Sequence, residues 1–301
     1  MGKLYGGIEA GGTKFVCMVG TNSGQVIDEK RFPTAHPDKT IQEANAFFTP
    51  YAQRGELAAV GIASFGPVDL NRTSSTYGYI TTTPKPHWRN VDLRGRIQRV
   101  LNLPIAFDTD VNAAAFGEHY WTPVNTPLDP FVYMTVGTGI GVGVLANGGP
   151  LHGLMHTEIG HSPVPHDREK DPFPGICPFH GDCLEGLASG LALTRRWGRP
   201  AESLPDSHPA WELETEYLAL ALVNLIYTYS PQRIVLGGGV SQHPRLHDAV
   251  RRKVQEYING YIRSPMILDK INEYIVPPTL GNRSGGLGAI AMGIDLVGRL
   301  A

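Results

Sequence analysis

The sequence predicts an α/β fold made of two related halves, and two observations carry that prediction. Short apolar strands alternate with amphipathic helical stretches along the 301 residues, the pattern of layered strands and helices. A strand, glycine turn and return strand also occur twice. The first set is Leu4–Glu9, Ala10–Lys14 and Phe15–Val19, and the second is Phe131–Val136, Gly137–Gly141 and Val142–Ala146. The first glycines of the two turns, Gly11 and Gly137, lie 126 residues apart, as in two halves built alike. Two unrelated hairpins would give the same pattern.

The remaining elements follow in order. After the Asn22-Ser-Gly24 turn, Gln25–Phe32 reads as a third strand. Thr40–Tyr51 sets Ile41, Ala44, Phe47 and Phe48 at helical spacing, with Thr40 as the expected N-cap and Glu43 three residues on. Leu57–Ala63 is a buried strand ending in Ser64–Asp69, and residues 73–90, with Pro84, Pro86 and Trp88, are irregular. A short helix at Leu93–Leu101 and a strand at Pro104–Asp108 lead to a helix at Val111–His119. A Pro-rich link, Thr122–Pro130, precedes the second hairpin, and the loop 148–182 that follows is dense in Gly, Pro and His. Helices are expected at Leu184–Trp197, Trp211–Tyr229 and His243–Asn259, with a strand at Pro231–Leu236 before the third. A short strand or loop runs to Pro278, and a Gly/Ala-rich helix over Ser284–Val297 could pack on either half.

Composition narrows the function. Acidic residues number 28 and basic ones 26, a formal charge of −2, so no nucleic-acid partner is expected. Three cysteines cannot form a fully paired disulfide framework, and no secretory segment is expected ahead of the first strand. No apolar run reaches the ~20 residues that span a bilayer, so no membrane partner is expected. With 36 glycines and 24 prolines the chain is rich in tight turns. These features predict a cytoplasmic globular enzyme.

Three Gly-rich turns each follow an apolar strand, and they nominate a phosphate site at Gly11, Gly12, Thr13, Lys14, Gly137, Thr138, Gly139, Gly237, Gly238 and Gly239. Glycine lets backbone N–H groups converge on an anion, and Thr adds a hydroxyl donor. None of the turns matches GxxxxGK[ST]. A strand rather than a helix follows Gly137–Gly141, which argues against a dinucleotide fingerprint. Ordinary tight hairpins are the alternative. Asp108 and Asp110 sit just past a strand, where open α/β sheets place ligands. Asp110 either caps the helix that follows or accepts a hydroxyl proton as a base. Lys14 either screens phosphate charge or is a solvated strand lysine.

His161, Cys177, His180 and Cys183 form the sharpest chemical signal. Cys177-x2-His180-x2-Cys183 packs three ligands into seven residues, with His161 lying 16 residues upstream of Cys177. Four N/S donors match a closed tetrahedral Zn²⁺ site, which would order a loop that has little core of its own. His152, His156, His166 and Asp182 are spare candidates, and scattered thiols with exposed histidines are the alternative.

Six ordered blocks then carry a family likeness: Gly6–Lys14, Phe107–Glu118, Gly137–Gly143, Glu158–His161, Cys183–Ser189 and Leu236–Val240. Over almost its whole length the chain resembles the ROK family of sugar kinases and related repressors, and within it the bacterial fructokinases. The resemblance implies the two-lobed actin/hexokinase-like (ribonuclease H-like) ATPase fold with an interlobe cleft. Residues 1–118, joined by the C-terminal helix 284–301, would form one lobe, and 119–283, with the zinc loop, the other. It implies ATP-dependent phosphorylation of a hexose 6-hydroxyl, fructose above all, with glucokinase, mannokinase, amino-sugar kinase or a non-catalytic sugar sensor as alternatives. Asp110 would be the catalytic base, and Gly11–Thr13 and Gly137–Gly139 would hold phosphates, with Gly237–Gly239 beside the adenosine. Gly66, Pro67, Glu158, His161 and Glu185 would line the sugar pocket. ATP with Mg²⁺, structural Zn²⁺ and a homodimer are implied as well.

Two departures from the family pattern bear on these roles. His180 stands where relatives commonly carry a cysteine, and Thr109 replaces the usual asparagine before Asp110, so one sugar contact of the family is expected either to weaken or to move to Asn112. The family's repressors carry an N-terminal helix-turn-helix, and a hairpin that starts at residue 4 predicts none here.

Overall fold

β1 (Leu4–Ala10) and β2 (Lys14–Thr21) are apolar on both faces, so they must lie inside a covered sheet. They form an antiparallel hairpin with Ile8 opposite Cys17. β3 (Val26–Pro33) extends the sheet beyond β2, while β4 (Leu57–Ser64) and β5 (Ile105–Thr109) add in parallel beyond β1, giving the order β3-β2-β1-β4-β5. A computed structural model of the chain describes residues 2–123 and 128–300; residues 124–127 of the Pro-rich link lie outside the described residues. The chain divides into one unit of Met1–Asn125, Gly149–Thr157 and Thr279–Ala301, and a second of Thr126–Gly148 and Glu158–Pro278. No helix among the described residues is long and apolar enough to cross a membrane.

In the first unit, α1 (Pro37–Gln53) and α2 (Leu93–Leu101) share a core with the sheet through Ile8, Phe15, Phe48, Trp88 and Ile97. α1 starts three residues before the expected Thr40, because Pro37 fits the first helical turn without losing a hydrogen bond. Thr40 lies within that turn, and its Oγ1 accepts the Ala35 N–H at 3.0 Å. A separate cluster forms where the C-terminal helix (Ser284–Leu300) sets Leu287 and Ile290 against Tyr5, Val16, Met18 and Ala59. Its small residues have a packing reason. A Cβ on Gly288 would collide with the Ala113 carbonyl of α3 (Asp110–Trp121). Where the helix begins, Glu118 of α3 is buried and accepts hydrogen bonds from Thr279, Leu280 and Ser284.

The second unit repeats the plan. β6 (Phe131–Val136) and β7 (Ile140–Ala146) form its hairpin, and β8 (Arg233–Gly237) and β9 (Ile275–Val276) add in parallel, in the order β7-β6-β8-β9. The 126-residue offset is thus a repeat of topology as well as of turns. α6 (Ala210–Tyr229) is apolar around most of its surface and is buried along Leu218, Ala219, Leu222 and Leu225. α7 (Leu246–Ile258) packs beside it. The single helix expected over Leu184–Trp197 is instead two, α4 (Leu184–Ala188) and α5 (Gly190–Trp197). Ser189 between them is extended, and its Oγ caps α5 by accepting the Ala192 N–H at 3.2 Å. The break lets Gly190 N–H donate to the Gly137 carbonyl at 2.8 Å, which anchors the second glycine turn.

Candidate active site and metal centre

The parallel strand β5 ends in Asp108-Thr109-Asp110, and the helix cap decides what these side chains do. Thr109 is the N-cap of α3, its Oγ1 accepting the Asn112 N–H at 3.1 Å. Capping is therefore not the task of Asp110, the first helical residue, whose Oδ1 accepts its neighbour Val111 N–H at 2.9 Å. The positive end of the helix dipole favours an anion at that place. Asp108 is buried, and its Oδ1 accepts the Thr109 N–H and the Asn112 Nδ2–H, each at 2.7 Å. Asn112 is 0 % exposed, so it supports Asp108 from behind and presents no surface of its own.

Three groups of this unit take places that the sequence reading did not give them, two of them histidines named only as spare metal candidates. His152 Nε2 lies 2.9 Å from the free oxygen of Asp108, and this hydrogen bond raises the imidazole pKa. His156 Nε2 accepts the Val68 N–H at 3.1 Å, next to Gly66 and Pro67. Glu9, at the end of β1, is raised above the ordinary carboxylate range by burial, against the pull of Lys14 and Arg31. A carboxylate in an otherwise apolar strand was the signal available for Glu9. The histidines had no local signal, since their partners lie far off in sequence.

Each glycine turn is tethered differently. In the first, Gly11 N–H donates to the Lys14 carbonyl at 3.0 Å, while Thr34 donates its N–H to Thr13 O at 2.9 Å and its hydroxyl to Gly11 O at 2.6 Å. A Cβ on Gly12 would meet nothing within 4 Å, and Lys14 is exposed. In the second, Gly137 N–H donates to Gly139 O at 2.9 Å, and a Cβ on Gly137 would also stand in open space. In the third, Gly238 has φ +91°, and the Ser241 hydroxyl donates to its carbonyl at 2.8 Å. Both hairpin turns thus keep an open glycine at the tip.

Glu185, the second residue of α4, accepts the Ile140 N–H at 3.0 Å, which places its carboxylate beside the Gly137–Gly139 turn. Crowding by protein atoms, with the like charge of Glu185 adding to it, pushes the Glu158 carboxyl up to about 7. Residue 158 nonetheless keeps an open face to solvent, and that hydration limits the shift. The His161 N–H donates to the Glu158 carbonyl at 3.0 Å, so Glu158 stands at the head of the short turn Ile159–His161 whose last residue is a histidine of the Cys/His cluster.

His161, Cys177, His180 and Cys183 converge, with ligand atoms all within 4.8 Å of one another. Cys177 Sγ lies 3.6 Å from His161 Nδ1 and 3.5 Å from His180 Nδ1, and Cys183 Sγ lies 3.6 Å from His161 Nδ1. With Zn–S near 2.3 Å and Zn–N near 2.0–2.1 Å, a tetrahedral S···N edge is about 3.5–3.6 Å, so the donor set fits zinc. Reciprocal backbone hydrogen bonds between Cys177 and Gly181 shape the turn, with Gly181 at φ +65°. The spare candidates are engaged elsewhere. Asp182 lies 3.0 Å from His166 Nδ1 and 2.6 Å from Arg168, and His166 Nε2 lies 2.8 Å from the Asp171 carbonyl. Asp171 in turn accepts from Arg196 of α5 and from the Tyr217 hydroxyl of α6, which pins the loop to the helices.

The ROK family model matches residues 5–295. The fructokinase of Streptococcus mutans is 43% identical over 303 residues, covering 99% of this chain and 100% of its own. The fructokinase of Lactococcus lactis is 41% identical over 297 residues, covering 98% and 99%. Among solved structures, the ROK hexokinase of Thermus thermophilus aligns with a TM-score of 0.77 at 24% identity, covering 98% of this chain and 99% of its own, a likeness of fold. With its paired α/β sheets of the actin/hexokinase-like two-lobed kind, the chain belongs to the ROK family.

Proposed function

We infer that the chain is an ATP-dependent fructokinase that transfers the γ-phosphoryl group to the 6-hydroxyl of D-fructose, giving fructose 6-phosphate and ADP. The observation that carries the kinase chemistry is the place of Asp110, a carboxylate at a strand end and helix start that has been relieved of capping by Thr109. The choice of fructose rests on the relatives named as fructokinases across nearly the whole chain.

In this reading Asp110 accepts the hydroxyl proton as the acceptor oxygen attacks phosphorus, and the departing β-phosphate oxygen leaves with ADP. The turns Gly11–Thr13 and Gly137–Gly139 hold the phosphate oxygens through backbone N–H groups other than those of Gly11 and Gly137, which close the turns themselves, and Lys14 adds a positive charge near the first turn. Gly237–Gly239 lies beside the adenosine. Mg²⁺ enters with the nucleotide as part of the substrate and balances charge on the phosphates. Glu158, His161 and Glu185, with the Gly66-Pro67 segment, bind the sugar hydroxyls, while Asn112 acts behind them through Asp108. His161, Cys177, His180 and Cys183 hold zinc, which supplies a cross-link for the loop and, with its shell filled, no activated water. As one of those ligands, His161 would anchor the turn that Glu158 heads. A homodimer is the assembly expected by resemblance to the family.

The test is ADP release by the purified protein with MgATP across fructose, glucose, mannose and N-acetylated hexoses, compared as kcat/KM. A clear preference for fructose is expected. Preference for another hexose would keep the mechanism and replace the substrate, whereas sugar binding without ADP release would overturn the kinase reading.

A further inference from the structure

The histidines left over from the metal set have work of their own. His152 and His156 sit four residues apart in Gly149–Thr157, a segment that belongs to the first unit. Their backbones pair across a tight turn, closed by the Gly153 N–H donating to the Met155 carbonyl at 3.0 Å, so both rings ride on one small frame. Each ring holds a different part of the chain. His156 is 5 % exposed, and its Nε2 accepts the Val68 N–H, a buried donor 88 residues away in sequence. The ring lies against the same turn, since a Cβ on Gly66 would stand 3.6 Å from His156 Cε1. His152 binds Asp108, whose other oxygen is committed to Thr109 and Asn112 at the entrance to α3.

We propose that this turn is a two-histidine clasp that positions the acceptor sugar's wall, His156 by holding Gly66–Val68 and His152 by holding Asp108, two residues before Asp110. Neither histidine is assigned to the chemistry; both act through the groups they hold. The choice of residue follows from the partners. The Val68 amide needs an acceptor at the end of a rigid side chain, and a neutral imidazole supplies one nitrogen lone pair there. Burial lowers the His156 pKa and so keeps that lone pair available. Asp108 needs a donor, and an imidazole approaching from the solvent side provides it, His152 being half-exposed. The identity of the acceptor rests on the fructokinase reading, but the hydrogen bonds of the clasp do not.

The experiment compares His156→Leu, which keeps bulk and removes the acceptor, with His156→Gln, which keeps an acceptor of similar reach. Steady-state kinetics are read together with hydrogen exchange at the Val68 amide. The leucine variant should raise KM for fructose about tenfold, the usual scale for a buried donor left unpaired, with KM for ATP within about twofold of wild type. Its Val68 amide should lose protection, and glutamine should restore both readings. His152→Ala, read beside a thermal melt because it leaves one oxygen of the buried Asp108 without this donor, should raise KM for fructose and leave KM for ATP alone. Leucine as active as wild type, glutamine as impaired as leucine, or equal rises for both substrates would each overturn the clasp. Amide exchange reads the hydrogen bond whatever the acceptor is. Failure of every hexose in the wild type would therefore sink the fructokinase reading while Val68 protection still judged the clasp.

Discussion

Glu118 offers the sharpest quantitative test of how the first unit is held together. Its two carboxylate oxygens divide their donors evenly. Oε2 accepts the Thr279 N–H at 2.9 Å and the Thr279 hydroxyl at 2.6 Å; Oε1 accepts the Leu280 N–H at 3.0 Å and the Ser284 hydroxyl at 2.7 Å. Glu118→Gln preserves the volume but replaces one oxygen with an NH₂ group. Whichever way the amide faces, that group meets one hydroxyl, which can rotate and accept, and one backbone N–H, which cannot. One buried N–H is then unpaired, at a cost of about 1–3 kcal/mol, and the hydrogen bonds that remain lose their charge assistance. We expect a loss of about 3 kcal/mol for glutamine. For alanine, which also strands the second N–H and leaves a cavity, we expect about 3–5 kcal/mol.

Two units make a single two-state transition unsafe, so the assay should be local. Native-state hydrogen exchange over 279–292 reports the opening of the C-terminal helix directly. The glutamine variant should open this segment at lower free energy than wild type while α7 in the second unit stays unchanged. A glutamine variant within about 0.5 kcal/mol of wild type would refute the reasoning. So would a variant that destabilises both units equally, because then the four hydrogen bonds would not be what fastens this helix.

Three further outcomes follow from the site. Asp110→Asn should lower turnover by ~10²–10⁴-fold at unchanged stability, because the Val111 N–H keeps an Oδ1 acceptor and Thr109 still caps; undiminished turnover would remove Asp110 as the base. Chelation should release zinc, speed exchange across residues 161–183 and weaken fructose binding, and protein that carries no zinc after expression with the metal would defeat the assignment. Burial, with the neighbouring Cys177 thiol, pushes the Cys183 thiol up to about 11, so metal must displace its proton; apparent zinc affinity should rise at least about tenfold per pH unit between pH 6 and 8, and a flat profile would mean that Cys183 is not a ligand.

What the sequence made legible depended on how local the deciding contact was. Hairpins such as Leu4–Thr21 are written in adjacent residues, so their strands and turns could be read directly. Cys177, His180 and Cys183 likewise announce a metal site within seven residues, and only His161 had to be brought in from farther off. The break at Ser189 could not be read. A Ser-Gly pair inside an apolar helical run is tolerated locally, and the Gly137 carbonyl that decides the matter lies 53 residues upstream of Gly190. His152 and His156 show the same limit. Spacing of four residues suits metal ligation, but their partners, Asp108 and Val68, are fixed by tertiary structure. Asn112 shows it in reverse: its neighbourhood resembles a sugar site, but burial turns the side chain into a support.

The repeated plan sharpens that distinction. Both sheets begin with the same hairpin, so the two glycine turns arrive in equivalent places for equivalent reasons. They are held in place by unlike means. Thr34, just past β3, fastens the first turn with two hydrogen bonds, whereas Gly190, at the start of α5, fastens the second with its backbone N–H. A Cβ on Gly190 would lie 2.7 Å from the Gly137 carbonyl, so the second tether depends on the absence of a side chain. The first depends on the presence of one, the Thr34 hydroxyl. Duplicated topology thus sets where the glycine-turn backbone goes, but each copy's rigidity rests on a contact the repeat does not contain. That is why the turns could be found from their likeness while their tethers had to be found from the fold.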